Sequence, residues 1–386
     1  MCGRVSHMTV ALSSRPLALD AACCLALLGL AVALSSRVWS SPIRWTPDGL
    51  AYQAKMLEYA GLPARTAEAQ AFALRLRVTA ANGGETLTSR ANFAKDMRWF
   101  RRRIVVSAVA ARLRPILGQR SVLAVSLASY VLLGVALYVF LRFRFAPLYA
   151  AGSAALALLF PPLQRWSFDP LSDSAGLLCV VLALTAAMLT IRRGRRWLPL
   201  WIAVVAIGSI TRESIVVPVL TAGLLAARRT PRTMALFLTG VAAMAPAMLF
   251  LRFPLRLSFA EVAAHQLHQR VDTSTLGLMK DWALLAARQP LWDFATEPFW
   301  TSLLLIALAM VVLTRERSTC SRMIRSAALA GWLYLASFPF ITGLRLEFVL
   351  LPAATFGLAL LAEDVSATVR MWNSPHPTPA DASAAR

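Results

Sequence analysis

The sequence is poor in the residues from which soluble folds build their surfaces. Only 15% of its 386 residues are charged, and of 40 basic residues just three (Lys55, Lys95 and Lys280) are lysine. With 58% hydrophobic residues and a mean hydropathy of +0.60, too little polar surface remains to cover a water-soluble body of this size, which excludes a soluble domain as the main architecture. Cysteine is scarce: Cys2, Cys23, Cys24, Cys179 and Cys320. None has metal-ligand spacing and none falls in a loop of the outer side derived below, so neither a zinc site nor a structural disulfide is expected. A glycine-rich nucleotide loop, a Gly-x-Ser-x-Gly elbow and a His-Glu-x-x-His pair are all missing. With them go the common signatures of ATP-driven pumps, serine hydrolases and zinc proteases. Forty basic against 19 acidic residues would suit a nucleic-acid binder in a soluble protein. Here the arginines cluster in short loops between apolar runs, so they read as topology signals and anionic-lipid contacts, with no nucleic acid as partner.

What is present is a succession of apolar runs of about 15–20 residues, the length that a bilayer-spanning helix requires. They predict an all-α polytopic membrane protein of about ten spans, at 17–36, 121–141, 145–163, 174–191, 197–211, 214–227, 233–251, 298–313, 326–341 and 348–362. Ala31-Val32-Ala33 resembles a signal cleavage site, but the first run reads as a retained anchor. The pair 197–211 and 214–227 is short and fits either two spans or a re-entrant hairpin. A single transmembrane domain, 17–362, thus lies between an N-terminal segment, 1–16, and a tail, 363–386, whose Pro-, Ser- and Ala-rich end reads as disordered.

Two long polar segments interrupt the apolar runs, 37–103 and 252–297. The first predicts helices at 48–60 and 65–77, a break at Asn82-Gly83-Gly84, and a basic amphipathic stretch at 93–103 of the kind that lies in the membrane interface. Placing the N-terminus inside puts 13 arginines in four short inner loops and only Arg165, Arg212 and Arg345 in three short outer turns. This asymmetry predicts a plasma (inner) membrane protein with both termini cytoplasmic and both long segments outside. Fourteen of the 19 acids then lie outside or at the outer edge, the exceptions being Asp20, Glu316, Glu363, Asp364 and Asp381. Chemistry is therefore expected at the outer face.

Asp48, in Arg44-Trp45-Thr46-Pro47-Asp48-Gly49, opens a predicted helix at the outer end of the first span. It reads as a helix cap, and a carboxylate held rigidly there is also placed to act as a base. Asp169 and Asp173 lie at the start of the fourth span, with Asp169 or Ser172 as its cap. Either acid, facing Asp48, could help hold a divalent cation such as Mg or Mn, or divide the work of base and orienter. Arg212-Glu213 and Arg345-Leu346-Glu347 set a cation and an anion at the tips of two apolar helix pairs. Charges at that depth pair with one another or mark a substrate path. The arginines, with Arg165, could clamp a phosphate through the fork geometry of guanidinium. Glu261, His265, His268 and Asp272 share one helical face and read as a solvated interfacial surface rather than a metal site.

This layout resembles the GT-C superfamily of membrane glycosyltransferases over roughly residues 17–362. Asp48 in Thr46-Pro47-Asp48-Gly49-Leu50-Ala51-Tyr52 matches the acid near the start of that family's long first outer loop, and Asp169 or Asp173 matches a second acid in the next outer loop. The tips at Arg212-Glu213 and Arg345 resemble places where such enzymes contact a lipid-linked phosphate. The first-loop acid stands alone here, where many relatives carry two. The resemblance implies transfer of a sugar, with inversion, from a polyprenyl-phosphate donor to an acceptor hydroxyl. Asp48 would be the general base, Arg212, Arg345 and Arg165 would hold the donor phosphate, and Asp169, Asp173 or Glu213 would be the second acid or orienter. The alternatives are a transporter or flippase of an anionic or sugar-linked lipid, which would use the same arginines, and a non-catalytic accessory subunit.

Overall fold

A computed structural model of the chain describes residues 15–81, 93, 97, 103–227, 230–250, 255–267, 271–337 and 344–373. The Asn82-Gly83-Gly84 break, most of the 93–103 stretch, His268, Gly343 and the tail beyond 373 lie outside these residues. The described residues are helical throughout and contain no strand. In chain order the helices are α1 (Arg15–Trp39), α2 (Pro47–Tyr59), α3 (Ala64–Ala81), α4 (Ile104–Leu117), α5 (Ser121–Leu141), α6 (Pro147–Leu158), α7 (Pro161–Ser167) and α8 (Asp173–Arg193). They continue with α9 (Leu198–Ser209), α10 (Val216–Ala226), α11 (Pro231–Phe250), α12 (Leu255–Leu267), α13 (Thr275–Thr296), α14 (Pro298–Leu313), α15 (Thr319–Ser337) and α16 (Leu351–Asn373).

Among the described residues, four helical stretches are long and apolar enough to cross a membrane: Leu17–Trp39, Ile104–Leu141, Asp173–Arg193 and Glu347–Val369. Taking α13 and α14 as one broken span, bent by 116° at Glu297, makes a fifth. The expected ten are therefore met by length and composition in only four or five cases. Proline and short helices account for three of the expected runs. Phe160-Pro161-Pro162 cuts the expected 145–163 run into α6 and α7, and α9 is 12 residues long, α10 only 11. The segment 252–297, read as an outer loop, is instead largely helical, with α12 and the 22-residue α13.

Two apolar clusters hold the chain together. The larger draws on α1, α5, α6, α8–α11 and α14–α16, with α5 lying along α8 and α14 along α16. α5 is apolar around its whole circumference, as a helix surrounded by others must be. The smaller joins α2, α3 and α4 with Phe93 and Met97 and reaches the bundle through Leu171 and Ala175. Leu171 and Ala175 flank Asp173, whereas Leu177 and Val180, further along α8, belong to the larger cluster. The first turn of α8 is thus the seam between the two cores.

Charged groups collect at the two ends of the bundle. The 21 residues of α8 span about 30 Å, with Asp173 at one end and Arg192 at the other. At the Arg192 end, Arg142 donates to Asp20, and Arg144 bridges Glu316 and Glu363 at 3.0 Å each. Arg144 so ties α5 to the loop before α15 and to α16. Replacing Arg144 with Gln should lower unfolding stability by about 1–3 kcal/mol, since two half-buried carboxylates lose their cation; denaturation in detergent micelles measures this.

Candidate functional site

The seam at the start of α8 is where most of the charged residues singled out in the sequence meet. Ser172 occupies the cap position of α8, yet its hydroxyl makes no capping bond. Asp173 follows in the first turn, where the helix dipole favours a carboxylate. Its side chain is only 1% exposed and accepts from two guanidinium groups. Arg212 reaches Asp173 Oδ1 at 2.9 Å; Arg345 Nε reaches the same oxygen at 2.8 Å and its Nη2 reaches Oδ2 at 3.0 Å. The same Nη2 of Arg345 donates to Asp48 Oδ2 at 2.8 Å. One nitrogen therefore bridges Asp48 and Asp173, two residues 125 positions apart in the chain.

Local structure delivers each group. Thr46 caps α2 by accepting the Gly49 N–H at 3.0 Å, and Pro47 pre-sets the first turn. Thr46, not Asp48, is thus the cap, and the Asp48 carboxylate is left for Arg345. A methyl on Gly49 would stand 2.8 Å from the Pro170 ring, so only glycine lets α2 approach the 169–172 loop this closely. Gly176 does the same for Arg212, whose Cδ would lie 2.6 Å from a side chain there. Arg212 itself sits in the tip between α9 and α10, where its N–H and that of Thr211 both bond Gly208 O at 2.9 Å. Leu344, before Arg345, adopts φ of +57° and donates its N–H to Asp293 Oδ1 at 3.2 Å. A β-carbon at positive φ is strained, and the bond from α13 holds that turn.

A second layer supports the first. Arg103 donates to Glu213 at 3.2 and 3.0 Å and to the Tyr52 hydroxyl at 3.4 Å. Tyr52 in turn bonds Ser172, whose hydroxyl also accepts from Arg212 at 3.4 Å. The N–H of Ile104 docks on Ile210 O at 2.7 Å, fixing α4 against the Arg212 tip. The ring of Trp166 lies 4.4 Å from the Arg345 guanidinium, a cation–π contact in a water-poor setting. Burial works to lower the affinity of Arg345 for its proton, but the charges of Asp173 and Asp48 more than reverse it. Burial pushes the Tyr52 hydroxyl up, so it stays protonated.

Of the residues expected at a site, Asp48, Asp173, Arg212 and Arg345 come together. Glu213 faces Arg103 one layer out. Asp169 lies beside them and among the described residues pairs with the exposed Arg44, at 3.9 Å, while its Oδ2 meets no hydrogen-bond partner among those residues. Burial pushes its carboxyl up from 3.8 to about 6. Arg165 is not part of the cluster: its guanidinium turns to Glu297 at 2.7 Å. At both tips the arginine turns to Asp173, while Glu213 meets Arg103 and Glu347 accepts from Gln289. Arg103 and Trp166 are members that sequence reasoning does not place at the site; it reads Ser172 only as a cap and Tyr52 only as a polar neighbour of Asp48. Tyr52 had a signal, since it stands one turn after Asp48 on the same helical face.

The space bounded by Asp173, Leu177, Arg212, Ser214, Tyr334 and Arg345 is about 10 Å³, enough for one water at most. Charges of opposite sign fill the site, so an anionic ligand must take a guanidinium from a carboxylate to enter. A divalent cation between Asp48 and Asp173 would likewise have to displace Arg345, so this pair does not fit one as arranged. Among the described residues no group of three or more His, Cys, Asp or Glu side chains assembles elsewhere. The four described cysteines are free. Comparison with protein-family models, curated proteins and solved structures gives no match for this chain.

Asp173→Asn should cost about 3–5 kcal/mol of stability, the scale for breaking a buried ion pair and leaving two cations short of an anion; chemical denaturation checks it. Asp169 binds its proton more tightly folded than unfolded. Stability should therefore fall as pH rises from about 4 to about 6 and level off above that. Asp169→Asn should flatten this slope in a pH series of unfolding curves.

Proposed function

We propose that the chain is a GT-C-type glycosyltransferase that moves a sugar from a polyprenyl-phosphate donor to an acceptor hydroxyl at the outer face of the inner membrane. The reading takes the shorter apolar helices as completing about ten spans, with both termini cytoplasmic. One observation carries it: Asp48, Asp173, Arg212 and Arg345, from four distant parts of the chain, converge at the end of the bundle opposite the Arg142 and Arg144 ion pairs. A base beside two arginines is the minimum that phosphate-leaving transfer needs.

The division of labour follows from exposure. Asp173 is 1% exposed and Asp48 30%, so Asp48 is the acid a hydroxyl can reach and Asp173 the one that holds the arginines. When a lipid-linked phosphate arrives, Arg345 turns from Asp48 to the phosphate oxygens while keeping its bonds to Asp173. Asp48, freed from Arg345, is then open to the acceptor hydroxyl. It takes the acceptor proton as the acceptor oxygen bonds the anomeric carbon from the face opposite the phosphate. The bond from that carbon to the phosphate oxygen breaks, and Arg212 and Arg345 stabilise the charge that builds on the departing polyprenyl phosphate. No step in this scheme passes through a metal.

A lipid-anion carrier would use the same arginines but would have no need of a base. An Asp48→Asn variant therefore separates the readings, because it keeps the shape and a hydrogen-bond acceptor for Arg345 while removing the base. In membranes supplied with labelled polyprenyl-phosphate sugars, Asp48→Asn should lower transfer by about 10²–10⁴-fold with normal membrane insertion. Transfer at the wild-type rate would rule out Asp48 as base.

A further inference from the structure

A cavity of about 260 Å³ opens between α13, α14 and α15, lined by different residues from the small space at Asp173. Its wall is mostly hydrocarbon and aromatic ring, including Trp282, Phe294, Trp332 and Leu335. Two acids break that apolar lining, Asp293 and Glu347. Gln289 donates its amide to Glu347 Oε1, and the Leu344 N–H occupies Asp293 Oδ1. The carboxyl of Glu347 adjoins that of Asp293. Glu347 is only 8% exposed, and its Oε2 meets no donor among the described residues. Among those residues neither acid takes part in an ion pair.

Two adjacent carboxyls in an apolar wall cannot both carry charge without a cation. A shared proton meets that need in part, and a ligand cation meets it better because it brings donors for the bare oxygen. The surroundings specify which cation. A metal ion needs a shell of oxygens, and among the described lining residues the polar side chains near the two carboxyls are Gln289, already bonded to Glu347, and Thr301, whose hydroxyl already donates to Asp293 O at 3.0 Å. An organic ammonium needs fewer, and indole faces attract it. Trp282 and Trp332 are 41% and 47% exposed, so the cavity is open to the side of the bundle, where a lipophilic molecule can enter from the bilayer. Ionisable groups at this depth facing a cavity mark a ligand path.

We propose that this cavity binds an amphiphilic amine. The ammonium head lies between Asp293 and Glu347 and donates to Glu347 Oε2. The hydrocarbon body lies along Trp282, Trp332 and Leu335. Arg345 and Glu347 stand on the same short segment and serve opposite heads: an anionic one at Asp173 and Asp48, a cationic one here. The site goes beyond the transfer reaction and does not depend on it, because amine binding requires no sugar donor.

The test uses the purified full-length protein in uncharged detergent, with dodecylamine and dodecanol as probes of equal chain length. Binding is followed by tryptophan fluorescence and calorimetry at neutral pH. Dodecylamine should bind about tenfold or more tightly than dodecanol. Glu347→Gln should remove that preference while leaving dodecanol affinity unchanged. Trp332→Leu keeps apolar surface at the exposed rim, and it should weaken amine binding several-fold with no loss of fold, which covers the case of an unstable Glu347→Gln. Equal affinity for amine and alcohol in the wild type would overturn the proposal, as would a preference that survives both substitutions.

Discussion

The Asp173 carboxylate, buried at the first turn of α8 and held between the guanidinium groups of Arg212 and Arg345, is the constraint on which this end of the molecule depends. A carboxylate so far from water is tolerated only when cations and hydrogen bonds replace its hydration. Satisfying it pulls in the tip between α9 and α10 and the segment before α16. Arg345 has donors to spare once Asp173 is met, and the next acceptor in reach is Asp48. The approach of α2, and with it the one solvent-accessible acid of the cluster, follows from the geometry of that guanidinium.

The same constraint explains why the site lies on a seam. α2, α3 and α4 form an apolar cluster that takes in Val122 and Val125 of α5, and they also meet the bundle through Leu171, Ala175 and the Ile104 bond to Ile210. A seam between two cores can shift without breaking either, whereas a site inside one core could not. The cluster is filled by its own ion pairs, so binding there is an exchange of partners rather than the filling of a void. At the other end of α8 the Arg142 and Arg144 pairs tie the bundle together.

Much of this was legible in the sequence, for reasons that can be named. Charge at the tip of an apolar helix pair is expensive, so Arg212 and Arg345 stood out, and Asp48 and Asp173 stood out at the mouths of apolar runs. What could not be read was pairing. Asp169 and Asp173 are equivalent in sequence, and only the turn of α8 decides that Asp173 faces inward to the arginines. Arg165 looked like a third phosphate ligand, but it stands on the short helix α7 with its guanidinium at Glu297. Arg103 was hidden in a run of arginines that read as interfacial. In 252–297 a helical face was legible at Glu261 and His265, on α12, but α13 was not, because its polar residues Gln289 and Asp293 line a cavity and give no regular polar face. Hydropathy alone also treats 145–163 as one continuous run, where Pro161 and Pro162 divide it into α6 and α7.

The central claim is that Arg345 is shared between Asp48 and a ligand phosphate while remaining anchored on Asp173. An experimental structure of the full chain with bound polyprenyl phosphate tests it most directly. The account predicts the phosphate against Arg212 and Arg345, the Arg345 bond to Asp48 broken, and the Arg345 bonds to Asp173 kept. A phosphate bound elsewhere, or an Arg345 still bridging Asp48 and Asp173 with the phosphate in place, would contradict it.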